Sequence, residues 1–181
     1  MQRHPGIRIG LDERLSPDVV RGVREGSADV GVLWDRIDLA GVQALPYRND
    51  RLYVALSPDH PLARRPSLTY AETLAEPSIN VIPGGQMDQL LRRQAALIGR
   101  VPEFRMQVST IDAATRLVAA GLGLAILPRE ATAPQAGAGR LAFVPLAETW
   151  AVRQFVIVTR PTPLLSAAAR MLAESLCEMA V

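Results

Sequence analysis

The sequence predicts an α/β protein with two lobes. Three observations carry that reading. A helix, a glycine stop and an apolar strand occur in the same order twice, over residues 16–34 and again over residues 109–128. Hydrophobic residues make up 49% of the 181 positions, enough to bury a substantial core. Aromatics stand at only 4%, so that core is aliphatic, built from Leu, Val, Ile and Ala.

Taken in order, Ile7, Ile9 and Leu11 alternate with Arg8 and Gly10, which predicts a short strand. Ser16, Pro17 and Asp18 supply an N-cap, a proline at the first helical position and an acid in the first turn. Val19, Val20 and Val23 line that helix, Gly26 stops it, and residues 28–34 follow as an apolar strand. Residues 50–56 read as a strand leading into the proline-flanked turn Ser57-Pro58-Asp59-His60-Pro61. Thr69 and Glu72 have capping-box spacing ahead of a short helix. Residues 78–82 predict a strand that breaks at Pro83-Gly84-Gly85. The helix after it runs to about Ile98, burying Met87, Leu90, Leu91, Ala95 and Ile98, and Gly99 ends it.

Phe104, Met106 and Val108 alternate along a further strand. Ile111, Ala114, Leu117 and Val118 then fall on one helical face, and Gly121 suits the left-handed residue after a helix end. Residues 122–127 carry no polar side chain, as a parallel strand covered on both faces would, and Pro128 ends it. The chain loosens over residues 134–139 and forms strands near 141–146 and 155–159. A last helix from about Pro163 presents Leu164, Leu165, Ala168, Met171, Leu172 and Leu176. This end returns to the first lobe, so lobe I takes residues 1–54 and 156–181 and lobe II takes 55–155. Segments near 53–56 and 154–157 form the hinge.

Composition narrows the function. The formal charge is +2, and all twenty basic residues are arginine. They are scattered, whereas a nucleic-acid interface gathers basic charge on one face. The lone Cys177 has no partner for an internal disulfide; it reads as a packing residue in a reducing, cytoplasmic setting. No apolar run approaches membrane-spanning length. Catalysis finds little support. Only His4 and His60 are present, and His60 lies in a turn with no nucleophile paired to it in the sequence. Asp12 and Glu13 are adjacent, so on a strand they point to opposite faces. No metal-ligand spacing occurs, no cofactor is implied, and Gly121-Leu122-Gly123 lacks the rest of a dinucleotide fingerprint.

Three ordered blocks resemble a known family: residues 24–32 (Arg-Glu-Gly-Ser-Ala-Asp-Val-Gly-Val), residues 57–63 (Ser-Pro-Asp-His-Pro-Leu-Ala) and residues 111–128. Together they are similar to the effector-binding domain of LysR-type transcriptional regulators, over nearly the whole chain. The resemblance implies a two-lobed, type 2 periplasmic-binding-protein-like fold, each lobe a mixed sheet flanked by helices. It also implies a small-molecule effector in the cleft and homodimers or higher assemblies. DNA would be bound only through a helix-turn-helix domain, which these 181 residues do not contain. The strand that precedes the family's first helix is also missing, so a fragment of a longer protein is expected.

The candidate effector contacts are strand-end and helix-start loops: Trp34 and Asp35, then Gly84, Gly85 and Gln86, then Ser109 and Thr110. Backbone N–H groups at helix starts favour an organic anion, although Ser and Thr also cap helices routinely. Two other readings stay open. One is a solute-binding protein of a transporter. The other is a prephenate-dehydratase-like enzyme, whose Thr-Arg-Phe motif is unmet because Leu117 follows Thr115-Arg116 and Pro161 follows Thr159-Arg160.

Overall fold

The chain passes from one lobe-sized unit to the other on one strand and returns on another. A computed structural model describes residues 6–132 and 139–179, so the greater part of the loop expected over 134–139 lies outside the described residues. One unit comprises Met1–Asn49 with Gln154–Val181, and the other Asp50–Arg153. Two long strands, β2 (Gln43–Leu56) and β7 (Val152–Thr159), cross the division.

In the first unit, α1 (Ser16–Glu25) leads through Gly26 into β1 (Val30–Trp34), which pairs antiparallel with β7 from Val30↔Thr159 to Trp34↔Phe155. Val20, Val23, Leu33, Val156 and Val158 form its core. Helix α5 (Ala167–Glu178) closes the chain, its N–H at Ala169 capped by the Ser166 hydroxyl at 3.1 Å.

Several expectations change here. Residues 7–11 form no strand, and Leu11 is 91% exposed. Alternation prepares a strand, but a strand needs a neighbour to bond, and none of the described residues pairs with this segment. Ser16 lies inside α1; Leu15 occupies the cap position, with no side-chain hydrogen bond. The last helix begins at Ala167 rather than Pro163, after a short 3-10 turn at Thr162–Leu164. It buries Ala169 and Ala173, with Leu172 and Leu176 half-buried, while Leu164, Ala168 and Met171 are exposed.

In the second unit, β2 is central. Its Leu52–Ala55 pair antiparallel with β5 (Ala125–Pro128), and Tyr53–Leu56 pair antiparallel with β6 (Ala142–Pro145). Strands β3 (Ser78–Val81) and β4 (Phe104–Val108) are parallel. The short helix α2 (Tyr70–Thr73) has the expected capping box: the Thr69 side chain accepts from the Glu72 N–H, and Glu72 accepts from the Thr69 N–H at 2.7 Å. Helices α3 (Gln86–Leu97) and α4 (Ile111–Ala119) follow β3 and β4. Ala55, Ile79, Val81, Ala114, Val118, Ala125 and Leu127 form the core.

The end of α4 shows how the sequence sets the path. Gly121 has φ +72; its N–H donates to Val118 O at 2.9 Å, and the Leu122 N–H donates to Leu117 O at 3.1 Å. That is the Schellman pair, and it reverses the chain into β5. The apolar run 122–127 is mostly interior, as read: residues 124–127 are buried. Its direction is not as read. β5 runs antiparallel to β2 and meets β3 in a single parallel bridge, Ser78↔Leu124. Burial on both faces, not parallel pairing, accounts for its composition. In α3 the expected face is partly displaced: Leu90, Leu91 and Ala95 are buried, Ile98 is 50% exposed, and Asp88 is buried instead.

Candidate functional site

Strands β3 and β4 end side by side. Val81 pairs with Val108, and the Ile82 N–H donates to Val108 O at 2.8 Å. Each strand then hands over to a helix, so the carboxyl ends of two adjacent parallel strands deliver two helix N-termini to one edge of the second unit. In α/β sheets such edges bind ligands. Among the sequence-predicted residues, this brings Gly84, Gly85 and Gln86 to the same edge as Ser109 and Thr110.

The β3–α3 turn is tight. Ile82 adopts φ +54, an uncommon backbone for a β-branched residue. The Gly85 N–H donates to Ile82 O at 2.9 Å, and a Cβ at Gly85 would lie 2.9 Å from the same oxygen. Glycine is therefore required there, and it leaves α3 with no side-chain cap. Gly84, at φ +77, donates its N–H to Asp88 Oδ2 at 2.8 Å and accepts from Gln89 Nε2 at 2.9 Å. Gln86 is the first helical residue and is half-buried. At the other turn, Ser109 is exposed, and the Thr110 hydroxyl accepts from the Ala113 N–H at 3.1 Å, capping α4.

Trp34 and Asp35 belong to the first unit. Trp34 ends β1 and is buried at 6% exposure. Asp35 is half-buried, and its N–H donates to Gln154 O at 3.0 Å.

Charged residues that the sequence did not single out shape the second unit. Asp88 accepts from the Gly84 N–H and from Arg92 Nε at 2.8 Å. Arg92 also stacks over the Phe104 ring, 5.3 Å from its centroid. Tyr70 donates its hydroxyl to Leu91 O at 2.9 Å and meets Trp150 edge to face. Burial pushes the Tyr70 phenol up to about 12; Arg92 opposes that shift and Asp88 adds to it. Glu148 reaches across 78 residues to accept the Tyr70 N–H at 2.6 Å. The signal for Asp88 was its i,i+4 spacing to Arg92 at a helix start; nothing in the sequence marks Glu148.

His60 serves the turn. Its Nδ1 accepts from the Leu62 N–H at 3.2 Å, opening the 3-10 helix Pro61–Arg64, and its Nε2 lies 3.7 Å from Glu76. Among the described residues, no three His, Cys, Asp or Glu side chains group as a metal site, and no helix is long and apolar enough to cross a membrane.

The second unit is thus a helix-flanked sheet entered and left by two strands. The chain belongs to the LysR substrate binding domain family, whose model matches residues 1–180. It is 27% identical over 164 residues to a probable hydrogen peroxide-inducible genes activator of Mycobacterium avium, covering 88% of this chain and 51% of that protein. It is 26% identical over 163 residues to the HTH-type transcriptional regulator BenM of Acinetobacter baylyi, covering 88% of this chain and 53% of the other. The chain thus spans about half the length of the curated relatives it matches.

Among solved structures it is similar to the BenM effector binding domain with its effector benzoate, at TM-score 0.81 and 24% identity, covering 98% of this chain and 81% of that one. It is also similar to the Synechocystis CcmR regulatory domain in complex with 2-PG, at TM-score 0.86 and 16% identity, covering 99% and 86%. The fold is the two-lobed, type 2 periplasmic-binding-protein-like fold of these domains.

Proposed function

We propose that this chain is the sensing domain of a LysR-type transcriptional regulator: it binds a small organic anion and changes how the full-length protein engages DNA. The observation that carries the reading is the edge where β3 and β4 end. There the start of α3, whose cap residue Gly85 has no side chain, and the Ser109–Thr110 turn lie at the ends of two adjacent parallel strands. Gly84, Gly85, Gln86, Ser109 and Thr110 are the proposed contacts in this unit, and Trp34 and Asp35 those in the other. Benzoate on the BenM domain and 2-PG on the CcmR domain support ligands of small size, as does shikimate on the effector binding domain of QuiR. In this reading the domain binds rather than turns over its ligand, works in the cytoplasm as a homodimer or higher homo-oligomer, and reaches DNA only through a helix-turn-helix domain outside these residues. The effector would act by favouring one of two pre-existing conformations.

The test is a thermal-shift screen. A ligand present at a hundred times its Kd stabilises by about 2.7 kcal/mol, which at about 2–4 °C per kcal/mol raises Tm by roughly 5–10 °C. Benzoate, shikimate and other small carboxylates are the probes. Carboxylate shifts that Ser109→Ala diminishes, with ligand-free Tm unchanged, are the expected result. Shifts from neutral or cationic compounds but not carboxylates would overturn the anion assignment.

A further inference from the structure

The residue at which the chain enters the second unit, Asp50 in β2, and the residue at which it leaves, Arg153 in β7, are bonded to each other. They lie 103 positions apart in sequence. Arg153 Nε donates to Asp50 Oδ1 at 2.7 Å, and Arg153 Nη2 donates to Asp50 Oδ2, so the guanidinium fork grips both carboxylate oxygens. The two side chains are only 11% and 12% exposed. The ion pairs Arg14–Asp12 and Arg116–Asp112, by contrast, are roughly half exposed or more, and such pairs contribute little. A buried pair is different in kind. Its desolvation offsets much of its attraction, so stability alone does not account for it; what it supplies is a fixed geometry, strongly disfavouring any state in which one partner is left alone.

Backbone bonds attach to both sides of the pair. Gln154 O, next along from Arg153, accepts the Asp35 N–H at 3.0 Å. Leu52 O, two residues beyond Asp50, accepts the Leu146 N–H at 3.3 Å. We propose that Asp50 and Arg153 form a clasp that makes the two strands entering and leaving the second unit one mechanical element. Lysine, a point donor on a flexible stem, could not hold both oxygens in one plane as arginine does. The inference does not depend on the proposed effector.

Hydrogen–deuterium exchange tests it. In Arg153→Ala, amides of residues 50–51 and 152–153 should exchange on the order of a hundredfold faster, while Ala125–Leu127 in the core keep their protection. Should that variant fail to fold, Asp50→Leu with Arg153→Met carries the test, because an apolar pair of similar volume retains stability but not the directional bonds. Its Tm should stay near wild type while the strand amides exchange at least tenfold faster. Wild-type protection of those amides in the double variant would overturn the clasp, and so would a uniform rise in exchange across a folded Arg153→Ala.

Discussion

Gly123→Ala should destabilise the second unit more than Gly121→Ala, although Gly121 is the residue that ends the helix. At Gly121 the backbone takes φ +72, and a Cβ would meet nothing within 4 Å. The substitution therefore carries only the cost of a left-handed alanine, about 1–2 kcal/mol, partly offset because alanine also narrows the unfolded ensemble. At Gly123 a Cβ would sit 2.7 Å from Pro77 O, about 0.7 Å inside ordinary contact, and 3.2 Å from the Pro77 carbonyl carbon. Both obstacles are backbone, so no rotamer change removes them. The same Pro77 O accepts the Leu124 N–H at 2.9 Å, and Leu124 O accepts the Ile79 N–H at 2.8 Å. Relieving the clash moves β5 away from β3 and weakens both bonds. Overpacking of this kind costs about 1–3 kcal/mol, and each weakened bond adds about 1 kcal/mol. A total of about 3–5 kcal/mol lowers Tm by roughly 6–20 °C. Thermal unfolding followed by far-ultraviolet circular dichroism measures this. A Gly123→Ala protein melting within 1 °C of wild type, or above Gly121→Ala, would refute the close-approach argument.

Three further outcomes follow from the same geometry. The Thr69 N–H, then the Thr69 hydroxyl and Arg65, hold the Glu72 carboxyl below its ordinary 4.5. Its contribution is therefore complete above that value and lost as pH falls through the lowered one, so Glu72→Gln should flatten the fall in Tm as pH drops below 4.5. Burial raises the Tyr70 phenol from 10.0 to about 12; its contribution is full below 10 and lost as pH rises towards 12. Tyr70→Phe should abolish that alkaline loss in urea titrations, while costing about 1 kcal/mol at neutral pH for the bond to Leu91 O. Ile82 is 49% exposed at φ +54. Asparagine tolerates that backbone better, so Ile82→Asn should raise Tm by a few degrees, and a lower Tm would show that the Ile82 side chain outweighs the strain.

Helix ends were the most legible part of the fold. Gly26, Gly99 and Gly121 all take positive φ, because glycine adopts that backbone without steric cost. The Thr69–Glu72 box was legible for a similar reason: both partners lie within one turn. Partnering across the chain was not legible. The alternation at Ile7, Ile9 and Leu11 is a property of one segment, whereas pairing needs a second. The apolar run before Pro128 reports burial on two faces and carries no information about the direction of its neighbours. In α5 the rows through Ala168 and Met171 and through Ala169, Leu172, Ala173 and Leu176 are both apolar, and only packing chooses between them. At the candidate site, turn chemistry pointed to Gly84, Gly85, Ser109 and Thr110. Asp88 was missed because its i,i+4 spacing to Arg92 reads equally as a solvated surface pair, while its burial and its bond to the Gly84 N–H are visible only in the fold.

Asp88 also changes what the edge can recognise. Both helices that start there carry an acid in the first turn, and both place an arginine four residues later: Asp88–Arg92 in α3 and Asp112–Arg116 in α4. Each acid already meets the positive end of its helix, and each arginine compensates the acid. The local charge is therefore close to balanced, and a bound anion gains little from net attraction. On the proposed reading, what the edge would offer is hydrogen bonding from the exposed hydroxyl of Ser109, beside a helix start where Gly85 provides no side-chain cap. A carboxylate accepts at both oxygens and so matches such a donor fully. The corresponding primary amide turns an NH2 towards it, and a donor left facing a donor in a desolvated site costs about 1–3 kcal/mol. Discrimination for an organic acid over its amide would then follow from matching donors to acceptors, and would persist at ionic strengths that screen simple charge attraction.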